Sequence, residues 1–310
     1  MTPVFVMATI VLVGFFITKK MDISIQTRKF LSFTVINFAL PAVIANSIFQ
    51  TPLDREMWNN FAVIYIFGLV LSSIGMAAGY FAAKSMGYDS SSRRQLAILA
   101  GCGNTGFIGI PVAYMIFGST IGVYAAIYDA STMTLVFTVG VLLLKGERFS
   151  VKQLRSLVNA PFITLVVSLL IVSTGVEIPM YFTELAGTLA GISAPLAMIY
   201  LGLLIPTIPS SSYKAVRDAY KRFIGAAVSI KVLLLPTIAF TALLFLPIEG
   251  ELAYIIVIQA SMPTFILAIV LFERYLGDGS QNLGITAILL SSLLSLLVLP
   301  IAIFLGTTYL

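Results

Sequence analysis

The sequence contains no histidine and only one cysteine, Cys102. A single cysteine cannot form an intramolecular disulfide or a cysteine metal cluster, and the absence of histidine removes the commonest transition-metal ligand. No His-Glu-x-x-His motif is present, and Asp129 has no Gly-x-Gly-Asp context. We therefore expect neither metalloenzyme nor intramembrane protease chemistry, no metal site and no cofactor.

Charged residues are also scarce, at 10% of 310 residues, whereas hydrophobic residues make up 59% and the mean hydropathy is +1.04. A bilayer span needs about 20 apolar residues, so ten spans with short connections would use the whole chain. The composition predicts an all-α polytopic protein with a single membrane domain over 1–310. The predicted spans are 3–18, 30–49, 60–83, 95–117, 120–144, 160–177, 185–206, 223–246, 252–272 and 283–305.

The net charge of +5 does not indicate nucleic-acid binding, because the basic residues fall in short clusters between apolar spans. Their partner is the lipid bilayer. The odd-numbered connections carry most of the lysines and arginines, beginning with Lys19 and Lys20, whereas the even-numbered connections carry only Arg55. The positive-inside rule then places both termini outside, in a plasma or bacterial inner membrane.

Ten spans divide into five plus five, and an odd number in each half makes the second half cross the membrane in the opposite sense. This pattern predicts an inverted repeat. Pro41 and Pro195 are 154 residues apart, and Pro111 and Pro263 are 152 apart. Proline is frequent in membrane helices, which explains one such match, but two matches together with the topology favour the repeat.

Two predicted spans, the fourth and the ninth, contain interruptions. Four glycines, a proline and two polar residues lie within 99–111, and a second interruption covers 259–264. Unsatisfied backbone groups at membrane depth survive only when they are buried in protein or face a watery cavity. Glycine also permits close helix packing, but packing alone does not explain polar residues at both interruptions. Broken helices of this kind are typical of a transport site.

The two interruptions are expected to cross near the bilayer centre, since the nine residues from Gln95 to Asn104 span about 14 Å of helix. Each following half-helix would present free N–H groups and a positive dipole end, with Asn104 as N-cap and Pro263 in the first turn. This arrangement favours an anion such as a carboxylate, while the opposing C-terminal ends could hold Na⁺. The predicted substrate-binding residues are Gly103, Asn104, Thr105, Ser261, Pro263 and Thr264.

Two ionisable residues and one amide inside the spans are candidates for coupling or counter-ion roles. Asp129 is a candidate proton carrier, cation ligand or counter-ion, or else lies in a hydrated outer vestibule. Lys231 is expected to snorkel toward the cytoplasmic face rather than act in the site. Gln259 is a weaker candidate, because a single amide can bond across helices for structural reasons.

Several segments resemble the auxin efflux carrier family, which includes plant exporters of auxin and bacterial carriers of malate, malonate and related anions. The segment 104–111 is similar to the family's Asn-Thr-x-x-x-Gly-Ile-Pro motif. Phe38-Ala-Leu-Pro-Ala42 resembles its proline segment in span 2, and 259–263, 272–275 and 299–301 resemble its last two spans. The order of spans matches over essentially the whole chain.

The resemblance implies a scaffold at about 1–49 and 159–206 and a transport core at about 57–145 and 214–310. It further implies a homodimer through the scaffold helices, an elevator-type movement, and a substrate carboxylate held by Asn104 and Thr264. Thr264 stands where some plant members have an amide. We expect a secondary carrier of a small organic anion; the alternatives are a sodium-coupled symporter similar to the bile-acid carriers, and a receptor or channel.

Overall fold

The computed structural model describes residues 2–21, 23–51, 54–145, 158–204, 221–276 and 281–310. These residues form helices and connections, and the β-type pairing among them is one isolated bridge between Gly103 and Thr264. The all-α prediction is therefore confirmed for this part of the chain. The helices are α1 Thr2–Lys20, α2 Ile25–Thr34, α3 Leu40–Phe49, α4 Arg55–Ser85, α5 Ser90–Gly101, α6 Ile110–Phe117, α7 Ser119–Leu135, α8 Val141–Lys145, α9 Ala160–Ser173, α10 Met180–Gly191, α11 Ser193–Leu204, α12 Lys221–Ser229, α13 Leu235–Leu243, α14 Glu251–Ala260, α15 Ala268–Leu276 and α16 Gln281–Tyr309.

Six helical stretches are long and apolar enough to cross a bilayer, which supports a multi-pass membrane protein. Three shorter apolar helices accompany them, and two of these belong to the predicted fourth and ninth spans. The ten-helix inverted repeat stays a prediction. The long stretches are Gln26–Phe49, Arg55–Ser85, Ser119–Lys145, Met180–Leu203, Lys221–Leu243 and Leu283–Tyr309; the short ones are Thr105–Phe117, Ala160–Ser173 and Glu251–Ala260.

Three five-residue π-helical turns each end two residues before a proline. They cover Val35–Ala39 before Pro41, Thr105–Gly109 before Pro111, and Ile230–Leu234 before Pro236. In a regular α-helix the proline ring would clash with the carbonyl four residues earlier and leave it without a donor. The wider turn shifts the hydrogen-bonding register, so each helix continues through its proline.

The chain folds into two compact units, each assembled from segments that are distant in the sequence. Unit 1 is held together by the close pairing of α1 with α11, and by α3 packed against α9 and α10. A Cβ atom on Gly14 would overlap the carbonyl oxygen of Ile199, and one on Gly202 would overlap that of Val11, so the first pair depends on small residues. Unit 1 consists of Met1–Tyr65, Thr105–Ala130 and Val158–Thr207.

Unit 2 contains the second predicted interruption and the first one as far as Asn104. Its core joins α5, α12, α15 and α16, with Phe223 and Phe272 fully buried. A Cβ atom on Gly79 would lie 2.5 Å from the Leu96 carbonyl oxygen, so this glycine lets α4 approach α5 closely. Unit 2 consists of Ile66–Asn104, Ser131–Leu157 and Ile208–Leu310.

Candidate functional site

The first interruption lies between α5 and the π-helical turn Thr105–Gly109. Helix α5 ends at Gly101, and Cys102, Gly103 and Asn104 are not helical. A Cβ atom on Gly101 would lie 2.5 Å from the backbone nitrogen of Met76, so a larger residue would separate α5 from α4. Glycine therefore allows the end of α5 to approach the α4 backbone at the interruption.

The second interruption lies between α14, which ends at Ala260, and α15, which begins at Ala268. The prediction that Pro263 sits in the first turn of the second half-helix is therefore wrong. The N–H of Thr264 donates to Ser291 Oγ at 3.1 Å, and the N–H of Phe265 donates to the Cys102 carbonyl at 3.0 Å. Because these donors are used outside a helix, the chain stays extended past the proline.

The two interruptions pair with each other inside unit 2. Gly103 and Thr264 form an antiparallel bridge, and the N–H of Asn104 donates to the Pro263 carbonyl at 2.7 Å. Thr264 Oγ1 adds a bond of 3.1 Å to the Leu99 carbonyl. Backbone groups that leave the helix at membrane depth thus find partners within the protein, as burial in lipid demands.

Five of the six predicted substrate residues lie together in unit 2 and belong to the two paired interruptions: Gly103, Asn104, Ser261, Pro263 and Thr264. The sequence predicts free N–H groups at the start of each second half-helix, whereas the N–H groups of Asn104, Thr264 and Phe265 are donated within the protein. The Ser261 hydroxyl donates to the Val257 carbonyl of its own helix.

One side-chain donor at the paired interruptions stays unsatisfied. Asn104 is only 2% exposed, and its Nδ2 atom has no hydrogen-bond partner among the described residues. A buried donor without a partner costs about 1–3 kcal/mol, so its presence calls for a reason. Gln259, next to the second interruption, is fully buried in the last turn of α14.

The sixth predicted residue, Thr105, belongs to unit 1 together with Asp129. Thr105 Oγ1 donates to Asp129 Oδ1 at 2.7 Å, and the N–H of Gly106 also donates to this carboxylate. A Cβ atom on Gly106 would lie 2.8 Å from Asp129 Oδ2, so only glycine leaves room for it. Asp129 is buried, and its negative charge lies at the positive end of the Thr105–Phe117 helix.

Lys231 does not snorkel, so that expectation is wrong. Its side chain is 2% exposed, and Nζ donates to the Ala260 carbonyl at 2.7 Å. The ammonium is thereby held at the end of α14, within unit 2. Ser291 is not among the residues predicted from the sequence, and its hydroxyl accepts from the Thr264 N–H. The adjacent serines 291 and 292, which follow the apolar run 287–290 inside a predicted span, were the available signal.

Six helical stretches are long and apolar enough to cross a membrane, and the fourth and ninth predicted spans are interrupted. Together with the family match, these features define a multi-pass membrane transporter rather than an enzyme. The chain belongs to the membrane transport protein family, whose sequence profile matches residues 1–303, and the resemblance to auxin efflux carriers is confirmed. It is 28% identical to an uncharacterized transporter of Methanothermobacter thermautotrophicus over 295 residues, covering 94% of this chain and 93% of the relative. It is 27% identical to an uncharacterized transporter of Methanocaldococcus jannaschii over 311 residues, covering 97% of each chain.

Proposed function

We propose that this protein is a secondary carrier of a small organic anion such as a carboxylate, which binds at the paired interruptions around Gly103, Asn104 and Thr264. The observation that carries this proposal is the side-chain Nδ2 of Asn104, which has no hydrogen-bond partner in the part of the chain that the structure describes and belongs to a residue 2% exposed beside the Gly103–Thr264 bridge. An amide N–H that a carboxylate accepts from would remove the cost of leaving this donor buried and unpaired.

The positive charge of Lys231 supports an anion rather than a cation as substrate. Its ammonium bonds to Ala260, the residue before Ser261, in the second interruption. Among the described residues no carboxylate forms an ion pair with it. A buried ammonium that has no carboxylate partner favours an anionic ligand nearby, because opposite charges attract strongly where water is excluded.

The family resemblance supports the remaining features of the proposal. In the proposed structure, ten spans form a 5+5 inverted repeat with crossed fourth and ninth helices, and both termini lie outside the cell membrane. The scaffold mediates a homodimer, and the transport core moves in an elevator-type cycle of alternating access. These features rest on sequence pattern and family likeness.

The first test identifies the anion and then asks whether Asn104 binds it. A melting-midpoint screen of purified protein against mono- and dicarboxylates should find anions that raise the midpoint, since a ligand of the folded state stabilises it. Uptake of the best anion is then measured in proteoliposomes. Asn104→Ala should weaken binding of that anion by about 10- to 150-fold, because the loss of one hydrogen bond to a charged group changes the dissociation constant by this factor.

Asn37→Ala is the matched control, because the Asn37 amide donates to the Phe33 carbonyl of its own helical segment. It should transport like the wild type. Saturable uptake with counterflow would distinguish a carrier from a channel. Normal uptake by a folded Asn104→Ala variant would remove the proposed site, and no carboxylate uptake by the wild type would remove the proposed function.

A further inference from the structure

The buried ammonium of Lys231 completes the C-terminal end of α14. The N–H of Ser261 bonds back to Val257 and Ile258, and that of Met262 bonds back to Gln259. The carbonyl of Ala260, the last helical residue, instead accepts from Lys231 Nζ at 2.7 Å. The C-terminal end of a helix carries a partial negative charge, so a cation is stabilised there.

The same ammonium also lies close to the end of α5. Lys231 belongs to the π-helical turn Ile230–Leu234, which packs against α5, and the segment after Ala260 is joined to the end of α5 by the hydrogen bond from the Phe265 N–H to the Cys102 carbonyl. Lys231 therefore lies near the points where both interrupted helices stop. Two helix C-termini and their unwound carbonyls favour one positive charge at this place.

In transporters with interrupted helices, unwound carbonyls and half-helix C-terminal ends are where a coupling cation such as Na⁺ is held. Here that environment already contains a side-chain cation, which is covalently attached and donates to the carbonyl directly. We propose that the Lys231 ammonium takes the place of a mobile coupling cation, so that the carrier binds its anion without sodium. The coupling role rests on the proposed function, but the presence of the Lys231 ammonium at the helix ends does not.

The test is the melting midpoint of purified protein in NaCl, KCl and choline chloride at equal ionic strength. Wild-type protein should melt at the same temperature in all three salts. Lys231→Met keeps the apolar stem but removes the charge, so it should melt lower in choline chloride. Na⁺, K⁺ or methylammonium should raise its midpoint by several degrees as the cation approaches about 100 times its dissociation constant.

Lys84→Met is the matched control, because Lys84 is an exposed lysine in the last turn of α4; it should respond to no salt. A sodium-specific rise in the wild-type midpoint would overturn the inference, even if Lys231→Met does not fold. A Lys231→Met variant as stable as the wild type, or destabilised and rescued by no cation, would also overturn it. Absence of carboxylate uptake would remove the carrier proposal and leave these melting comparisons unchanged.

Discussion

Thr264→Val tests the pairing of the two interruptions at a single atom. The substitution keeps the shape of the side chain but removes the Oγ1 donor to the Leu99 carbonyl, a bond of 3.1 Å at a fully buried position. A buried acceptor left without its donor costs about 1–3 kcal/mol. The free energy of opening the Gly103–Thr264 bridge should fall by this amount, because the bond joins the same two segments.

Cys102 is a natural reporter of that opening. It is the only cysteine in the sequence, it is fully buried, and its carbonyl accepts from the Phe265 N–H across the pairing. When opening and closing are fast relative to the chemical step, the rate of maleimide labelling follows the population of the open form. A loss of about 1–3 kcal/mol then accelerates labelling by about 5- to 150-fold.

Thr237→Val is the matched control, since the Thr237 hydroxyl donates only to the Leu233 carbonyl of its own helical segment at an exposed position. Its labelling rate should equal that of the wild type. Folded Thr264→Val protein that is labelled no faster than wild-type protein would show that the hydrogen bond contributes nothing to holding the two segments together.

Two further variants test the ends of helices. Gly106→Ala should destabilise the protein by about 1–3 kcal/mol, because the new methyl group would lie 2.8 Å from Asp129 Oδ2. The control is Gly225→Ala, which should be neutral or stabilising because a Cβ atom at this helical position meets no other atom within 4 Å. Equal melting midpoints of the two variants would contradict this prediction. Asp89→Ala removes the N-cap of α5 and should cost about 1 kcal/mol at neutral pH. The Ser92 hydrogen bond lowers the pKa of Asp89 below its usual range, so this stability is present above about pH 4 and is lost as the pH falls toward the lowered pKa. A difference from wild type that does not change with pH would contradict the assignment.

Local chemistry along the chain is enough to predict the class of protein and the places where helices are interrupted. Long apolar runs require a bilayer. Gly101 and Gly103, followed by Asn104, destabilise a helix and so predict an interruption there. The same holds for Pro263, although the structure moves the start of the following helix to Ala268, because the intervening N–H groups bond to distant partners.

The way in which those interruptions are satisfied depends instead on the folded chain. Thr264 bonds to Leu99 and Ser291, Lys231 bonds to Ala260, and Asp129 bonds to Thr105. These partners lie between 24 and 165 residues apart along the chain, and no local pattern encodes which buried donor meets which acceptor. Lys231 shows the limit most directly. Its long stem permits either a snorkelling or a buried ammonium, and the choice depends on a helix end that only folding brings within 2.7 Å.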